Sequence, residues 1–511
     1  MPPSSHRSQA TLHLSLIMAT SLLVYTPSLF GYFLSDDFNA VTLLNRDRTA
    51  IDWPNVLSDF YTVYRGDPTY SYYRPMITLS GGIDLSLWGI NAAGPHLTNT
   101  ILNALNGFLV YGIATMSPIS SPGIGLTAGL LFALHPLHPE AVYWLVGRTE
   151  LIMAFLTLLA ILLYLVFTDR GGRLPYLGSL LAFTLALASK ETAVIVPIAL
   201  TFHRMMIHRP GRAHLAPPPA MSLLPYYLLL GAYFGLRKVL TGHVIGQYGP
   251  MGVNPSDPSL MPLGLTHLFL YQLFPAGSLL TPAGDAVIGE SIRRLLGLIP
   301  WLMTAVVIAI VITGRMGRQV LHCLGLMVIL ALPVLSLLAV WGSPDDFSRL
   351  YYLPSAAFCL LIGVLLENSR HPVRRYGKPI LLLTSAILLA VNSLPWIQAG
   401  RITSTILTRI EQAANRPDAH AVLIIGNPDS HFGAELFGAG SWALPIAAAA
   451  PFMRIPREVR IFHHPEDPCP PLRADLLHGG NETEILQWRH AEQRLTPLTW
   501  DRLMAACSAG H

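Results

Sequence analysis

The sequence predicts an α-helical polytopic membrane protein of about eleven transmembrane helices, with a long first outer loop and a small C-terminal α/β domain outside the membrane. Hydrophobic residues make up 52% of the chain and charged residues only 12%, whereas a soluble domain carries about 25% charged residues. The mean hydropathy is +0.47, and the apolar residues gather in runs long enough to cross a bilayer. A net charge of +4 does not indicate a nucleic-acid partner.

The first apolar run, residues 12–34, contains no Asp, Glu, Lys or Arg. It is too long for the apolar part of a typical signal peptide, so we expect an uncleaved first helix. The runs interpreted as spans are residues 12–34, 97–116, 122–137, 150–168, 174–189, 192–207, 220–237, 295–313, 320–341, 350–367 and 379–396. The region 174–207 could instead be one broken helix. A twelfth apolar stretch, 262–280, is interrupted by Pro275 and Gly277 and is interpreted as re-entrant or horizontal.

The distribution of Lys and Arg predicts the orientation, because cytoplasmic loops are enriched in both. With the N-terminus inside, the short inner loops hold eleven such residues: Arg170, Arg173, Arg204, Arg209, Arg212, Arg315, Arg318, Arg370, Arg374, Arg375 and Lys378. The short outer loops hold three: Arg148, Lys190 and Arg349. We therefore expect a cytoplasmic N-terminus and an extracytoplasmic C-terminal part, with a bacterial inner membrane favoured.

Two adjacent carboxylates, Asp36 and Asp37, follow the first span directly. Carboxylates resist leaving water, so a pair at the membrane surface needs a reason. Such a pair suits general-base catalysis or cation binding, and the alternative is a solvated cap that ends the span. Other ionisable groups share the outer face in this topology, and clustering on one side indicates a site.

The first outer loop, residues 35–95, is rich in Trp and Tyr, which favour the membrane–water interface. We expect interfacial helices at 53–62 and 76–88. A membrane domain would then cover 1–400, and a small extracytoplasmic domain 405–511. In that second part, residues 421–425 followed by a Gly-Asn-Pro turn, and residues 458–462, are typical of strands.

Several ordered blocks resemble the membrane part of the transmembrane and tetratricopeptide-repeat O-mannosyltransferases and their bacterial relatives, which are type-C (GT-C fold) glycosyltransferases. The blocks are residues 73–75 (YRP), 87–91 (LWGIN), 96–99 (HLTN), 135–142 (HPLHPEAV), 147–150 (GRTE), 189–191 (SKE) and 352–355 (YLPS). The resemblance covers residues 30–370. It implies a many-span, inverting enzyme that takes a sugar from a polyprenyl-phosphate donor, with an acidic motif in the first outer loop. The chain departs from the group in lacking tetratricopeptide repeats.

The resemblance supports Asp36 or Asp37 as the base for the acceptor hydroxyl. Asp37 is slightly favoured, with Asp36 positioning the acceptor or binding a cation, although the order could be reversed. The leaving lipid phosphate needs positive charge. The candidate donor-binding residues are Arg74, Arg148, Lys190, Arg349 and Tyr352. Alternatively, each cation only snorkels or pairs with a nearby acid, Arg148 with Glu150 and Lys190 with Glu191.

His135, His138 and Glu140 lie around two prolines, so they form a turn that could bind a divalent metal, Mg or Mn, contact the substrate, or be purely structural. Glu191, Asp345 and Asp346 are further candidates for substrate or metal contact. The expected partners are a polyprenyl-phosphate-linked sugar, a glycan, lipid or protein acceptor, and membrane lipids. The alternative function is a transporter or flippase of a lipid-linked envelope precursor, which would place ionisable groups near the bilayer midplane.

Overall fold

The fold was analysed in a computed structural model of the full chain. The structure describes residues 3–66, 72–116, 118–207, 219–244, 257–273, 275, 317–341, 347–417, 421–438, 441–453, 460–464, 483–489, 493–499 and 502. The predicted span 295–313 and the candidate residues Asp345 and Asp346 lie outside these residues.

Five stretches of helix in the described part of the chain are long and apolar enough to cross a membrane. They are Gln9–Phe30, Leu145–Arg170, Arg318–Trp341, Ser348–Glu367 and His371–Ala414. Two shorter helices, Pro122–Ala133 and Arg173–Leu187, are also apolar. The protein is therefore an integral membrane protein, as the composition predicts, and the number of eleven spans stays a prediction.

The α-helices follow one another from the membrane into the C-terminal part. They are α1 Pro3–Val24, α2 Trp53–Ser58, α3 Pro75–Trp88, α4 Ala93–Ala114, α5 Pro122–Ala133, α6 Pro139–Tyr143, α7 Arg148–Arg170, α8 Arg173–Leu187, α9 Val196–Ile207, α10 Pro219–Thr241, α11 Met261–Leu273, α12 Arg318–Ala331, α13 Leu335–Trp341, α14 Tyr352–Glu367, α15 His371–Ala414 and α16 Leu444–Ala447. In the bundle, α4 packs against α1, α5 and α7, and α14 packs against α5 and α12. Most of the core of the described residues is one large apolar cluster, and two small clusters lie apart from it.

The helix ends follow from local sequence. Pro75, Pro122 and Pro139 each occupy a first helical position, where a missing N–H costs nothing. The Ser121 side chain accepts a hydrogen bond from the backbone N–H of Ile124 and so caps α5. Gly89 ends α3 with a φ of +60°, which glycine adopts without strain.

The first outer loop begins with a 3-10 helix, Ser35–Leu43, and continues into α2 and α3. Asp52 caps α2 by accepting a hydrogen bond from the backbone N–H of Asn55 at 3.1 Å. The helices predicted at 53–62 and 76–88 thus correspond to α2, which ends at Ser58, and to α3, while their interfacial location stays a prediction. The apolar stretch near 262–280 contains α11, and α8 and α9 are separate helices joined by a turn at Ser189–Glu191 and the 3-10 helix Glu191–Ile195.

The C-terminal part contains a four-stranded sheet in the order β4-β1-β5-β6. Its strands are β1 Ala421–Ile425, β4 Arg460–His464, β5 Thr483–Arg489 and β6 Arg494–Leu498, and β2 Ser430–His431 pairs with β3 Ala434–Glu435. The strands predicted at 421–425 and near 458–462 are therefore present. α15 runs to Ala414 and packs against this sheet, so the helix crosses the boundary predicted at 400–405.

Candidate active site

A pocket opens beside the 3-10 helix Ser35–Leu43, at the end of the bundle where the first apolar helix stops. Its volume is about 630 Å³ including the mouth. Its walls come from that 3-10 helix, the turn 64–65, α3, and the segment 145–148. The charged lining residues in the described part of the chain are Asp36, Asp37, Arg65, Asp84 and Arg148. The pair that the sequence singled out therefore lies in a concave site.

Asp37 is held rigidly by backbone groups. Its side chain is only 4% exposed. One carboxylate oxygen accepts the N–H of Leu34 at 2.9 Å, and the other accepts the N–H of Val146 at 2.9 Å. Burial raises the pKa of Asp37 to about 8, although these backbone hydrogen bonds oppose the shift. Both oxygens are thus occupied in joining the Ser35–Leu43 turn to the start of α7.

Asp36 has a different environment, although it is the adjacent residue. Its side chain is half-buried and lines the pocket, and among the described residues its carboxylate has no hydrogen-bond partner. Burial raises the pKa of Asp36, and the charge of Glu435 adds to the rise, whereas Arg349 and Arg65 oppose it. The lone pairs of this carboxylate are available to a bound substrate.

Arg148 is a buried lining residue with a full set of partners. Its guanidinium pairs with Asp84 at 2.5 Å and donates to the carbonyl of Leu145 at 3.2 Å and to the hydroxyl of Ser80 at 3.3 Å. The sequence-based alternative paired Arg148 with Glu150. That pairing is wrong, because helical side chains two positions apart point in different directions.

Glu150 instead pairs with Lys190, and Glu191 pairs with Arg74 through two hydrogen bonds of 2.6 and 3.1 Å. The predicted Lys190–Glu191 pair is therefore not formed. Although burial alone would raise it, the pKa of Glu191 falls to about 2 because Arg74, chiefly, favours its charged form. These two ion pairs join α7, the start of α3 and the turn before α9, and none of the four residues lines the described pocket.

In the Pro-rich turn at 135–140, the rings of His135 and His138 stack on each other, whereas Glu140 binds other partners. Glu140 forms a salt bridge with the Arg349 guanidinium and also accepts the backbone N–H of Arg349 at 2.7 Å and the hydroxyl of Ser348 at 3.1 Å. Arg349 stacks over Trp144, with 4.8 Å between the guanidinium carbon and the ring centroid. Glu140 therefore fastens the start of α14 to the turn that holds α6.

His138 and Tyr352 lie in the bundle, away from the pocket. A ring nitrogen of His138 bonds the hydroxyl of Ser355 at 2.8 Å, and its ring lies 4.8 Å from that of His135 and 4.3 Å from that of Tyr352. The hydroxyl of Tyr352 donates to Asn103 at 2.9 Å and accepts from Asn106 at 3.1 Å. Across the residues that the structure describes, no group of three His, Cys, Asp or Glu side chains could hold a metal ion.

Comparison with known proteins agrees with the sequence blocks. No family model matches the chain. The chain is similar to protein O-mannosyl-transferases. It is 33% identical to the TMTC1 protein of Mus musculus over 195 residues, which is 36% of this chain and 21% of that protein. It is 24% identical to the protein F38B6.6 of Caenorhabditis elegans over 384 residues, which is 72% of this chain and 53% of that protein.

The chain thus spans between about a fifth and half of the curated relatives it matches. Among solved structures, it is similar to ArnT from Cupriavidus metallidurans in the apo state, with a TM-score of 0.48, 13% identity and 94% of each chain covered. The arabinofuranosyltransferase AftD from mycobacteria matches with a TM-score of 0.41 and 15% identity, over 93% of this chain and 35% of that one. The resemblance predicted from the sequence blocks to protein O-mannosyl-transferases is confirmed by the curated relatives.

Two charged lining residues, Arg65 and Asp84, had no role in the sequence-based site, although both belong to its first outer loop. Arg65 has a φ of +53°, donates from its guanidinium to the carbonyl of Asn39 at 3.2 Å, and lies over the ring of Tyr64. Among the described residues this guanidinium has no carboxylate at ion-pair distance. The sequence signal for Arg65 was its place after Tyr64 in an aromatic loop. Arg74 follows Tyr73 in the same way but does not line the pocket, so this signal does not distinguish the two arginines.

Proposed function

We propose that this chain is an integral-membrane glycosyltransferase of the GT-C type, which moves a sugar from a polyprenyl-phosphate donor to an acceptor hydroxyl on the extracytoplasmic face. One observation carries the proposal. A half-buried carboxylate without a hydrogen-bond partner among the described residues, Asp36, shares a pocket with the guanidinium of Arg65. A base and a cation in one cleft are the two groups that this reaction requires.

Asp36 is the proposed general base. Its carboxylate takes the proton of the acceptor hydroxyl while the acceptor oxygen attacks the anomeric carbon of the sugar. The bond from that carbon to the phosphate oxygen breaks in the same displacement, which inverts the anomeric centre. A carboxylate whose pKa is raised is a stronger base, provided that it is ionised at the working pH. Asp37, whose oxygens both bind backbone N–H groups, is the proposed positioning residue.

Arg65 is the proposed contact of the leaving phosphate. Negative charge builds up on the phosphate oxygens as the bond breaks, and a guanidinium can donate two parallel hydrogen bonds to them. Arg148 lies in the same wall, but its charge is offset by Asp84 at 2.5 Å. We therefore assign Arg148 to the shape of the pocket and Arg65 to the phosphate. Arg349 contributes at longer range, since its charge reaches Asp36.

The names of the relatives bear on the class of acceptor. The curated relatives are named protein O-mannosyl-transferases, which suggests a protein hydroxyl and a mannosyl donor. The chain covers only part of those relatives, and a glycan or lipid acceptor suits the same chemistry. We place the N-terminus in the cytoplasm and the sheet-containing part, as a separate domain, on the extracytoplasmic side, because Lys and Arg concentrate in the opposite loops.

A donor panel tests the function. The purified protein and its Asp36→Asn variant in nanodiscs would be given radiolabelled polyprenyl-phosphate monosaccharides, with envelope fractions as acceptors and empty nanodiscs as the control. We expect labelling by the wild type that Asp36→Asn loses. If well-folded wild type labels nothing with any donor, the glycosyltransferase proposal fails. Movement of a lipid-linked precursor between leaflets would then indicate a flippase.

A further inference from the structure

The turn that carries Asp36 makes direct contacts with the C-terminal part of the chain. The backbone N–H of Ser35 donates to the carbonyl of Leu436 at 2.8 Å, and the hydroxyl of Ser35 donates to a carboxylate oxygen of Glu435 at 2.7 Å. Ser35 has a φ of +44°, a conformation that a side chain-bearing residue adopts only when its surroundings hold it there. The residue immediately before Asp36 is therefore fixed from 400 positions away in the sequence.

Aromatic packing strengthens the same contact. The ring of Phe38, which is fully buried, stacks on Phe437 with 6.0 Å between centroids and meets Phe452 edge-on at 5.0 Å. Phe452 also contacts Phe33 at 5.1 Å, so it packs against residues that come before and after the acidic pair in the sequence. Buried aromatic pairs of this kind add stability beyond the area they bury.

We propose that residues 434–438 and 441–453, here called the brace, hold the Asp36 turn in its working conformation, and that Glu435 is a positioning residue for Asp36. The inference rests on the proposed function and deepens it. It assigns to the C-terminal part a direct role in the transfer step. Glu435 fixes Ser35 through a charge-assisted hydrogen bond, and its charge stands beside the base.

The charges around Asp36 determine what the brace does to its protonation. Glu435 is the negative charge that acts on Asp36, and Arg65 and Arg349 are the positive charges. Asp37 keeps its proton up to a pKa of about 8, and Arg148 is paired with Asp84 in the same pocket. Glu435 raises the pKa of Asp36, and the two arginines lower it. Removal of the Glu435 charge should therefore lower the pKa of Asp36, so that Asp36 stays ionised down to a lower pH.

The pH profile of kcat separates positioning from mere stability. Glu435→Gln keeps an acceptor for Ser35 but removes the charge, so the acidic limb of the profile should move to lower pH. Ser35→Ala keeps the charge but removes the hydrogen bond, so kcat should fall by about tenfold with the limb in place. The control, Glu484→Gln, removes the same charge from a carboxylate that pairs with Arg416, and should keep the wild-type profile.

Wild-type profiles and rates for both Glu435→Gln and Ser35→Ala would overturn the inference. Hydrogen exchange gives a readout that needs no activity. In Phe452→Ala, the peptide covering residues 33–45 should exchange faster than in the wild type, while the α7 peptides keep their rate. Unchanged exchange at 33–45 would also overturn the bracing. Failure of the wild type itself to transfer sugar would instead reject the proposed function, and the exchange experiment would still decide on the brace.

Discussion

Asp37→Asn is the substitution whose outcome distinguishes the two carboxylates most clearly. The sequence alone slightly favoured Asp37 as the base, and that reading expects Asp37→Asn to abolish transfer with folding near normal. The structure gives both oxygens of Asp37 to backbone N–H groups, those of Leu34 and Val146. On this geometry we expect Asp37→Asn to damage stability first.

The magnitude follows from hydrogen-bond counting. An amide has one acceptor oxygen, so its NH₂ group must face one of the two N–H donors. One buried backbone donor is then left unsatisfied, at a cost of roughly 1–3 kcal/mol. Asp37→Ala removes both acceptors and should cost more. The measurement is thermal unfolding in detergent at about pH 6, with Asp52→Asn as the control, because Asn caps a helix as well as Asp does.

The stability difference between wild type and Asp37→Asn should change with pH in a defined direction. The native state holds the Asp37 proton up to a pKa of about 8, whereas the unfolded chain releases it near the ordinary value of about 4. Between those values the unfolded state binds fewer protons, so stability from this group falls by up to about 1.4 kcal/mol per pH unit as pH rises. The gap between wild type and Asp37→Asn should therefore narrow from pH 5 to pH 8. Unchanged unfolding of Asp37→Asn, combined with lost transfer, would refute this reasoning and restore Asp37 as the base.

Three further predictions concern the cations and the base. Arg65→Ala should raise the donor KM and lower kcat. Arg65→Lys should recover only part of the activity, because a single ammonium cannot donate the parallel pair of bonds. Donor kinetics equal to wild type would remove Arg65 from the site. Arg349→Ala should lower stability by roughly 3 kcal/mol, since it leaves Glu140 buried without its cation. The double variant with Glu140→Gln should unfold at a higher temperature than the single one. A raised donor KM at unchanged stability would instead favour a direct donor contact for Arg349. The transfer rate should fall as pH is lowered through the raised pKa of Asp36, and a rate that stays flat down to the ordinary carboxyl range would contradict that assignment.

The sequence predicted the features that depend on neighbours along the chain. The long apolar helices, the helices α2 and α3 and the buried strand β1 follow from local periodicity and composition. The position of Asp36 just after the first span follows from where the apolar run stops. These signals extend over one or two helical turns, so no tertiary information is needed to read them.

The charge partners could not be read from the sequence, because the fold chooses them over long distances. Arg148 lies two positions before Glu150 but pairs with Asp84, 64 positions earlier, and Lys190 pairs with Glu150, 40 positions earlier. The division of labour between Asp36 and Asp37 depends on Val146, and the link to Glu435 crosses 400 positions. Sequence proximity therefore gave the wrong pair in both cases where it was used.

The rate of transfer by Asp36→Asn, measured beside Asp52→Asn on the donor that the wild type uses best, tests the central claim most directly. Both variants change one Asp of the first outer loop to Asn, but only Asp36 lines the pocket. Loss of a general base predicts a fall in kcat of about 10²–10⁴-fold for Asp36→Asn, with unfolding temperatures equal to wild type and full activity in Asp52→Asn. Wild-type kcat in a folded Asp36→Asn protein would contradict the account.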